Sequence, residues 1–416
     1  MTRPPAAFLA AIAPTLRAAT PGPLGVAVSG GGDSLALLLL LRAAGIPDLA
    51  AVTVDHGLRP ESAAEAAGVA ALCAARGIPH AVLRWTGWSK RGNLQAAARQ
   101  ARRQLIAAWA RGRGVEAVAL GHTLDDQAET FLMRLARGSG IDGLSAMRAC
   151  VRAEGLLWLR PMLGLRRADL RVWLASEGIP WAEDPGNENA AFQRVRVRQS
   201  LEPLARLGLD APRLAATAAA MARAREALEA ATHDLARAAS TTGPAGDLRL
   251  DPERLAAAPL EIRLRLLAAA LCWVSGAPYR PRLSSLELAL AAVEHGLPAG
   301  GLSLHGCLLR PGRGGKIGIC REPAAVAARV PLTAGRWDGR WAWNPDDLAN
   351  SGATEIGALG DEGLALLADR RAAGLPAMLL ATTPALWRGP GLLAAPFAAR
   401  GAPGPFRRVS TLPSPW

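Results

Sequence analysis

Leu24-Gly25-Val26-Ala27-Val28-Ser29-Gly30-Gly31-Gly32-Asp33-Ser34, running into the apolar stretch Leu35–Leu41, decides how the first half of this chain folds. A short apolar run ending in glycines and passing into a helical stretch reads as strand, loop and helix. Three glycines let the backbone take positive φ and approach an anion closely. The N–H groups that open the next helix have no internal partner and point at that anion. Ser29 and Ser34 add hydroxyl donors. Asp33 alone would repel a phosphate; it makes sense if it holds Mg²⁺, which takes oxygen ligands and bridges to phosphates. No GK[ST] follows the glycines, so the Walker pattern fails, and GxGxxG fails as well. An ordinary glycine turn needs neither two serines nor an aspartate.

Outward from that loop, strand and helix alternate. Leu49–Val54, His80–Trp85 and Val115–Leu120 read as further strands, and Leu156–Leu159 as an edge strand. Helices are expected over Ser62–Ala75, Asn93–Ala110, Asp125–Ala136 and Arg167–Ser176. This order predicts a parallel sheet covered on both faces. Ligands of such sheets lie beyond the carboxyl ends of the strands, and Ser29–Ser34, Asp55–Arg59 and Gly121–Glu129 all fall there. From about Leu201 to Ala238 the chain reads as Ala-, Leu- and Arg-rich helices, and Thr241–Gly246 as a linker. Helices near Glu261–Val274 and Ser284–Glu294 follow, then a hairpin of Leu302–Leu309 with Lys316–Cys320 across Pro311–Gly315. The rest is rich in Pro, Gly, Ala and Trp and gives no readable pattern.

At 416 residues the chain calls for two or three domains. Ala supplies much of the hydrophobic 50%, so the mean hydropathy of +0.14 is no membrane signal. Leu35–Leu41, the longest strongly apolar run, falls far short of the ~20 residues of a spanning helix. Phe8, Leu9, Ile12 and Leu16 sit at helical spacing, but Pro14 and Arg17 interrupt any signal-peptide core. A short surface helix in a soluble cytoplasmic protein is the expectation. Cys73, Cys150, Cys272, Cys307 and Cys320 are scattered without a CxxC pair, so they read as reduced, buried thiols. A net charge of +13 points to an anionic polymer as partner. Lys90 and Lys316 are the only lysines; codon bias explains Arg over Lys, but not the excess of bases over acids.

Asp125, Asp126 and Glu129 open a helix at i,i+4 and i,i+3 spacing and crowd one face. The helix dipole favours carboxylates there, and Thr123 with Asp126 resembles a capping box. Capping accounts for Asp126 but leaves three acids together in want of a cation. His56 and His122 fit a structural role better than a catalytic one. Arg99 with Arg102 and Arg103 spreads around a helix. Arg194, Arg196 and Arg198 alternate with valine, sharing one face if the stretch is a strand and spiralling if it is a helix. Arg59 is a further basic residue able to meet phosphates.

Ser29–Ser34 resembles the SGGxDS loop of the N-type ATP pyrophosphatases, the PP-loop family. Val54–Arg59, Gly121–Thr130, Arg134–Gly140 and Asp184-Pro185-Gly186-Asn187 narrow the resemblance to the tRNA(Ile)-lysidine synthase family. It is strong over Leu24–Leu204, and Leu304–Glu322 is similar to the end of that family's substrate-binding domain. Where the family usually has an Asn in its basic stretch, Arg194-Val195-Arg196-Val197-Arg198 carries valine. The resemblance implies an α/β fold: a parallel-sheet PP-loop domain over 1–205, then a helical linker over 206–245. A mostly helical tRNA- and substrate-binding domain follows over 246–322, then a C-terminal region over 323–416. It implies that ATP activates the wobble cytidine of an isoleucine tRNA with a CAU anticodon, and that L-lysine then displaces AMP to give lysidine. In this scheme Ser29, Gly30, Gly31, Gly32, Asp33 and Ser34 bind ATP, and Asp33 with Asp125 or Asp126 serves Mg²⁺ and catalysis. Asp126 or Glu129 holds lysine, and Arg59, Arg99, Arg194, Arg196 and Arg198 meet tRNA, in a monomer or homodimer. A tRNA thiolase and a small-molecule amidating synthetase share the loop. The first normally needs paired cysteines, and the second fits the +13 charge poorly.

Overall fold

In the computed structural model, which describes residues 4–18, 22–57, 61–86, 94–183, 193–398 and 404–409, the glycine-ended run becomes β1 (Leu24–Ala27). The chain leaves it into α2 (Gly32–Ala43), after an N-terminal α1 (Ala6–Leu16). Every residue from Leu35 to Leu41 is buried, as a helix that is apolar all round must be. β2 (Leu49–Asp55) and β4 (Ala117–Leu120) flank β1 in parallel, with Leu24 opposite Leu49 on one side and Ala117 on the other. β3 (His80–Arg84) adds beyond β2, also in parallel. α3 (Ser62–Ala74) and α4 (Leu94–Gly112) make the crossovers, and α5 (Leu124–Leu135) follows β4. The strand order reverses between β1 and β4, the place where ligands of such sheets bind.

After α5 come α6 (Ile141–Leu144), β5 (Cys150–Ala153), β6 (Leu156–Leu159) and α7 (Arg167–Ser176). The full order is β3-β2-β1-β4-β6-β5. Leu156–Leu159 was expected at the edge; instead β5 occupies it, running antiparallel to β6. The two-residue turn Glu154-Gly155 has φ of 52° and 79°, the positive-φ geometry that matches the twist of a tight hairpin. α8 (Gln193–Arg206) starts before the expected Leu201, so Arg194–Arg198 is helical and its arginines spiral. α9 (Ala211–Ala239) follows as one helix of 29 residues.

The chain divides into two compact units, 1–225 and 226–416, with the division inside α9. In the second unit the stretch read as a linker is instead β7 (Ser240–Thr242) and its turn, paired with β8 (Leu248–Leu250). Gly243 N–H closes this turn on Asp247 O at 2.8 Å. α10 (Pro252–Ala256), α11 (Leu260–Ser275) and α12 (Leu283–His295) come next. The run Leu302–Leu309 breaks at His305-Gly306, both at positive φ, into β9 (Leu302–Leu304) and β10 (Cys307–Pro311). β11 (Ile317–Arg321) returns along β10 as the expected hairpin. The antiparallel sheet β7-β8-β11-β10-β9 packs on α11 and α12 around Leu266, Leu267, Leu271 and Ile319.

The unreadable C-terminal stretch has its own core. Short strands β12 (Val330–Pro331), β13 (Arg336–Trp337), β14 (Trp341–Ala342) and β15 (Glu355–Ala358) precede α13 (Gly360–Leu366) and α14 (Ala377–Ala381). β16 (Pro384–Arg388), β17 (Gly391–Ala394) and β18 (Arg407–Arg408) complete the sheets β12-β15-β16-β17 and β13-β14-β18. Trp337, Trp341, Trp343 and Trp387 fill the centre. One carboxylate ties this core to the sheet before it: Asp338 accepts from Arg321 at 2.8 Å and from the fully buried Arg340 at 2.5 Å. Burial works to raise the Asp338 pKa, but the two guanidiniums outweigh it and hold the carboxyl below its usual range. Replacing Asp338 by Asn keeps the shape and tolerates its positive φ, yet strands a buried guanidinium. Urea unfolding should therefore show a loss of about 3 kcal/mol or more; a loss under ~1 kcal/mol contradicts the pairing.

Candidate active site

Gly30 takes φ of 88° and Gly31 caps α2 in extended backbone. The loop is held from inside: Ser34 Oγ accepts from Ser29 N–H at 3.1 Å and donates to Gly31 O at 2.8 Å. Ser34 was expected as an anion donor; its hydroxyl instead faces inward and shapes the loop, while Ser29 is exposed. Ala182 N–H binds Gly30 O at 3.0 Å, so the segment after α7 fixes the loop from outside. Gly121, just after β4, is as close: a Cβ there would lie 3.0 Å from Ser34 Cα and 3.1 Å from Asp33 C. Loop and acidic helix are thus in backbone contact.

At the head of α5 the carboxylates meet arginines. Asp126 Oδ2 accepts from Thr123 N–H at 2.7 Å and Thr123 Oγ at 3.0 Å, so it does cap the helix. Its other oxygen takes Arg167 at 2.9 Å and Arg194 at 2.6 Å. Glu129, wholly buried, takes Arg194 at 2.5 Å, Arg198 at 2.8 Å and Arg167 at 3.4 Å. Asp33 receives Arg167 Nε at 2.8 Å on Oδ2, while its Oδ1 is buried without a partner. Burial pushes the Asp33 carboxyl up, with Arg167 opposing. For Asp126 burial acts the same way, but Arg167, Arg194 and the Thr123 N–H outweigh it and the pKa falls.

Asp125, expected to serve a metal with Asp33, holds a backbone group in this structure. Its Oδ2 accepts the backbone N–H of Arg167 at 2.7 Å and so caps α7. Among the described residues no group of three or more His, Cys, Asp or Glu side chains is placed to hold a metal ion. Arg167 was missed in the sequence. The signal for it was local: an arginine in the first turn of a helix opposes the helix dipole, and here three carboxylates account for it.

Arg194 and Arg198 turn inward from α8, while Arg196, on its other side, is exposed. Arg99 is exposed on α4 and feels the charges of Arg194 and Arg103. Arg59 and Asp184–Asn187 lie outside the described residues. Asp55 accepts from Gly57 N–H and Ser62 Oγ, and His56 packs edge-on against Trp85 at 5.7 Å. Burial depresses His122 to about 4, helped by Arg160, Arg194 and Arg99 against Asp126, so its ring is neutral.

A mostly parallel sheet whose first strand ends in an SGGGDS loop at the switch point, facing an acidic helix start, defines a PP-loop nucleotide-binding domain. A family model described as a PP-loop domain matches residues 7–205. The chain is 46% identical over 381 residues to a tRNA(Ile)-lysidine synthase of Ruegeria pomeroyi, covering 91% of this chain and 89% of the relative. A relative of the same name in Methylobacterium sp. strain 4-46 is 46% identical over 308 residues, covering 72% and 88%. One in Mesorhizobium japonicum is 38% identical over 418 residues, covering 93% and 88%. The chain belongs to the tRNA(Ile)-lysidine synthase family.

The contact of Gly121 with the loop yields a prediction. Gly121→Ala must push the backbone at Asp33 and Ser34, costing about 1–3 kcal/mol of stability as overpacking does. ATP affinity should fall about tenfold, equivalent to ~1.4 kcal/mol. A thermal melt with a nucleotide titration measures both, and unchanged affinity contradicts the contact's role.

Proposed function

We infer that this chain joins L-lysine to C2 of the wobble cytidine of a CAU-anticodon isoleucine tRNA, at the expense of ATP. The cytidine O2 attacks the α-phosphate, forming the O–P bond as pyrophosphate leaves. The ε-amine of lysine then attacks C2 of the adenylated base, and AMP leaves. The observation that carries this reading is the match to lysidine synthases along almost their whole length, with a loop and acid helix fit for both steps.

The residues divide the work by what they touch. Backbone N–H groups of Gly30–Asp33, at the α2 N-terminus, supply an anion cradle for the ATP phosphates, the Ser34 N–H being taken by Gly31 O. Asp33 would hold Mg²⁺: its buried Oδ1 lacks a partner, and Mg²⁺ needs only one or two carboxylates beside substrate phosphates. Bound there, the ion would neutralise charge on the phosphates. Asp125 positions Arg167 through the Arg167 N–H. Asp126 and Glu129 supply the carboxylates for the lysine ammonium, whose charge-assisted bonds are the strong kind. Exposed Arg99 and Arg196 offer sequence-independent phosphate contacts to tRNA. No described helix is long and apolar enough to cross a membrane, which agrees with an RNA substrate free in solution.

The test is incubation with ATP, Mg²⁺, labelled lysine and separate isoacceptor tRNAs. Label should enter the CAU isoleucine tRNA and no other; label in none, or in all, overturns the assignment. Asp33→Ala should abolish pyrophosphate release while filter binding of tRNA stays nearly intact. Normal release by this variant removes Asp33 from the phosphate chemistry.

A further inference from the structure

Resting on that reading, we propose that Arg194 and Arg198 occupy the lysine-binding carboxylates in the free protein and yield them only when RNA phosphates draw the two arginines away. The charges match one for one. Asp33, Asp126 and Glu129 face Arg167, Arg194 and Arg198, joined by six ion pairs of 2.5 to 3.4 Å. Both oxygens of Glu129 are taken: Oε2 by Arg194, Oε1 by Arg198 and Arg167. Glu129 has no exposed side-chain surface, so an incoming ammonium has no free oxygen to meet. It must displace a guanidinium.

Which guanidinium leaves follows from how each is held. Arg167 is 17% exposed, binds all three carboxylates, and has its backbone N–H fixed on Asp125. Arg194 and Arg198 are 38% and 36% exposed and reach in from α8 by their side chains. Glu129 is common to both, and Arg194 adds Asp126. The α8 pair is therefore the mobile one.

Lysine alone is a poor displacer. Exchanging a guanidinium for an ammonium leaves the carboxylate charge balance unchanged, but it sends the expelled arginine into a cationic neighbourhood. Arg99 feels Arg194 and Arg103, and Arg160 feels Arg103 and Arg99. An arginine expelled among these is repelled unless an anion comes with it. RNA phosphates on the same surface provide that anion, and Arg binds phosphate with a bidentate fork. The same two side chains thus couple RNA binding to lysine binding, and the coupling works in both directions. Free lysine would be refused until the base that must accept it is in place.

Equilibrium dialysis of labelled L-lysine, without ATP, reads this directly on the full chain. The expected result is weak binding to the free wild type and binding at least ten times tighter with saturating unmodified CAU isoleucine tRNA. The Arg194→Ala, Arg198→Ala double variant should bind lysine at least ten times tighter than wild type with no RNA present. Equal lysine affinity with and without tRNA overturns the proposal. So does a folded double variant that binds lysine no tighter than wild type. The wild-type comparison needs no variant and stands if the double variant fails to fold. Transfer of label to tRNA separates this proposal from the reading beneath it: transfer with equal affinities removes the arginine shield alone, whereas no transfer and no lysine binding removes both.

Discussion

Three carboxylates on two adjoining helix starts cannot stand together unpaired, and three arginines neutralise them. That balance of charge organises the first unit. Burying an ionised carboxylate without a partner is costly, so Asp33, Asp126 and Glu129 at the mouth of one sheet need cations brought from elsewhere in the chain. α7 delivers Arg167, and α8 delivers Arg194 and Arg198. The end of α5 farther from the acids packs on α9 through Phe131, Leu214 and Ala218, with Ala146 from the segment after α6 in the same cluster. The acidic helix is therefore clamped at one end by charge and at the other by apolar contact.

The same network sets what the site does with ligands. On the proposed exchange, each carboxylate oxygen now on a guanidinium is one that an ammonium group can use, while the buried, partnerless Oδ1 of Asp33 lies in the phosphate loop. The proposed function thus splits its cation chemistry in space, assigning the metal to Asp33 on α2 and the lysine amine to the carboxylates of α5. Gly121 keeps the two in backbone contact.

Much of the first unit was legible because each signal was local. Glycines ended β1, Leu35–Leu41 could only be a buried helix, and the acids lay within one turn of α5. What escaped was long-range. Arg167 meets Asp33 across 134 positions and Glu129 across 38; its place in the first turn of a helix marked it as unusual, but no local pattern names its partners. Arg194 and Arg198 were read as a basic cluster able to meet tRNA; their pairing with the acids was not legible because their valine neighbours left strand and helix open, and only the helix turns them onto the carboxylates. Ser34 was assigned outward because a serine's composition does not show which way its hydroxyl points. In the second unit, strands of two or three residues such as β13, β14 and β18 are too short to show alternation, and the Asp338 pairs that fix them again join distant residues.

The most direct test of the charge network is a double-mutant cycle on Arg194→Ala and Glu129→Gln, read by urea unfolding of the ligand-free protein. The account predicts a coupling of about 0.5–3 kcal/mol, as for residues in one ion-pair network. Additivity of the two changes to within about 0.5 kcal/mol would mean that the guanidinium does not sit on the carboxylate in solution, and would contradict it.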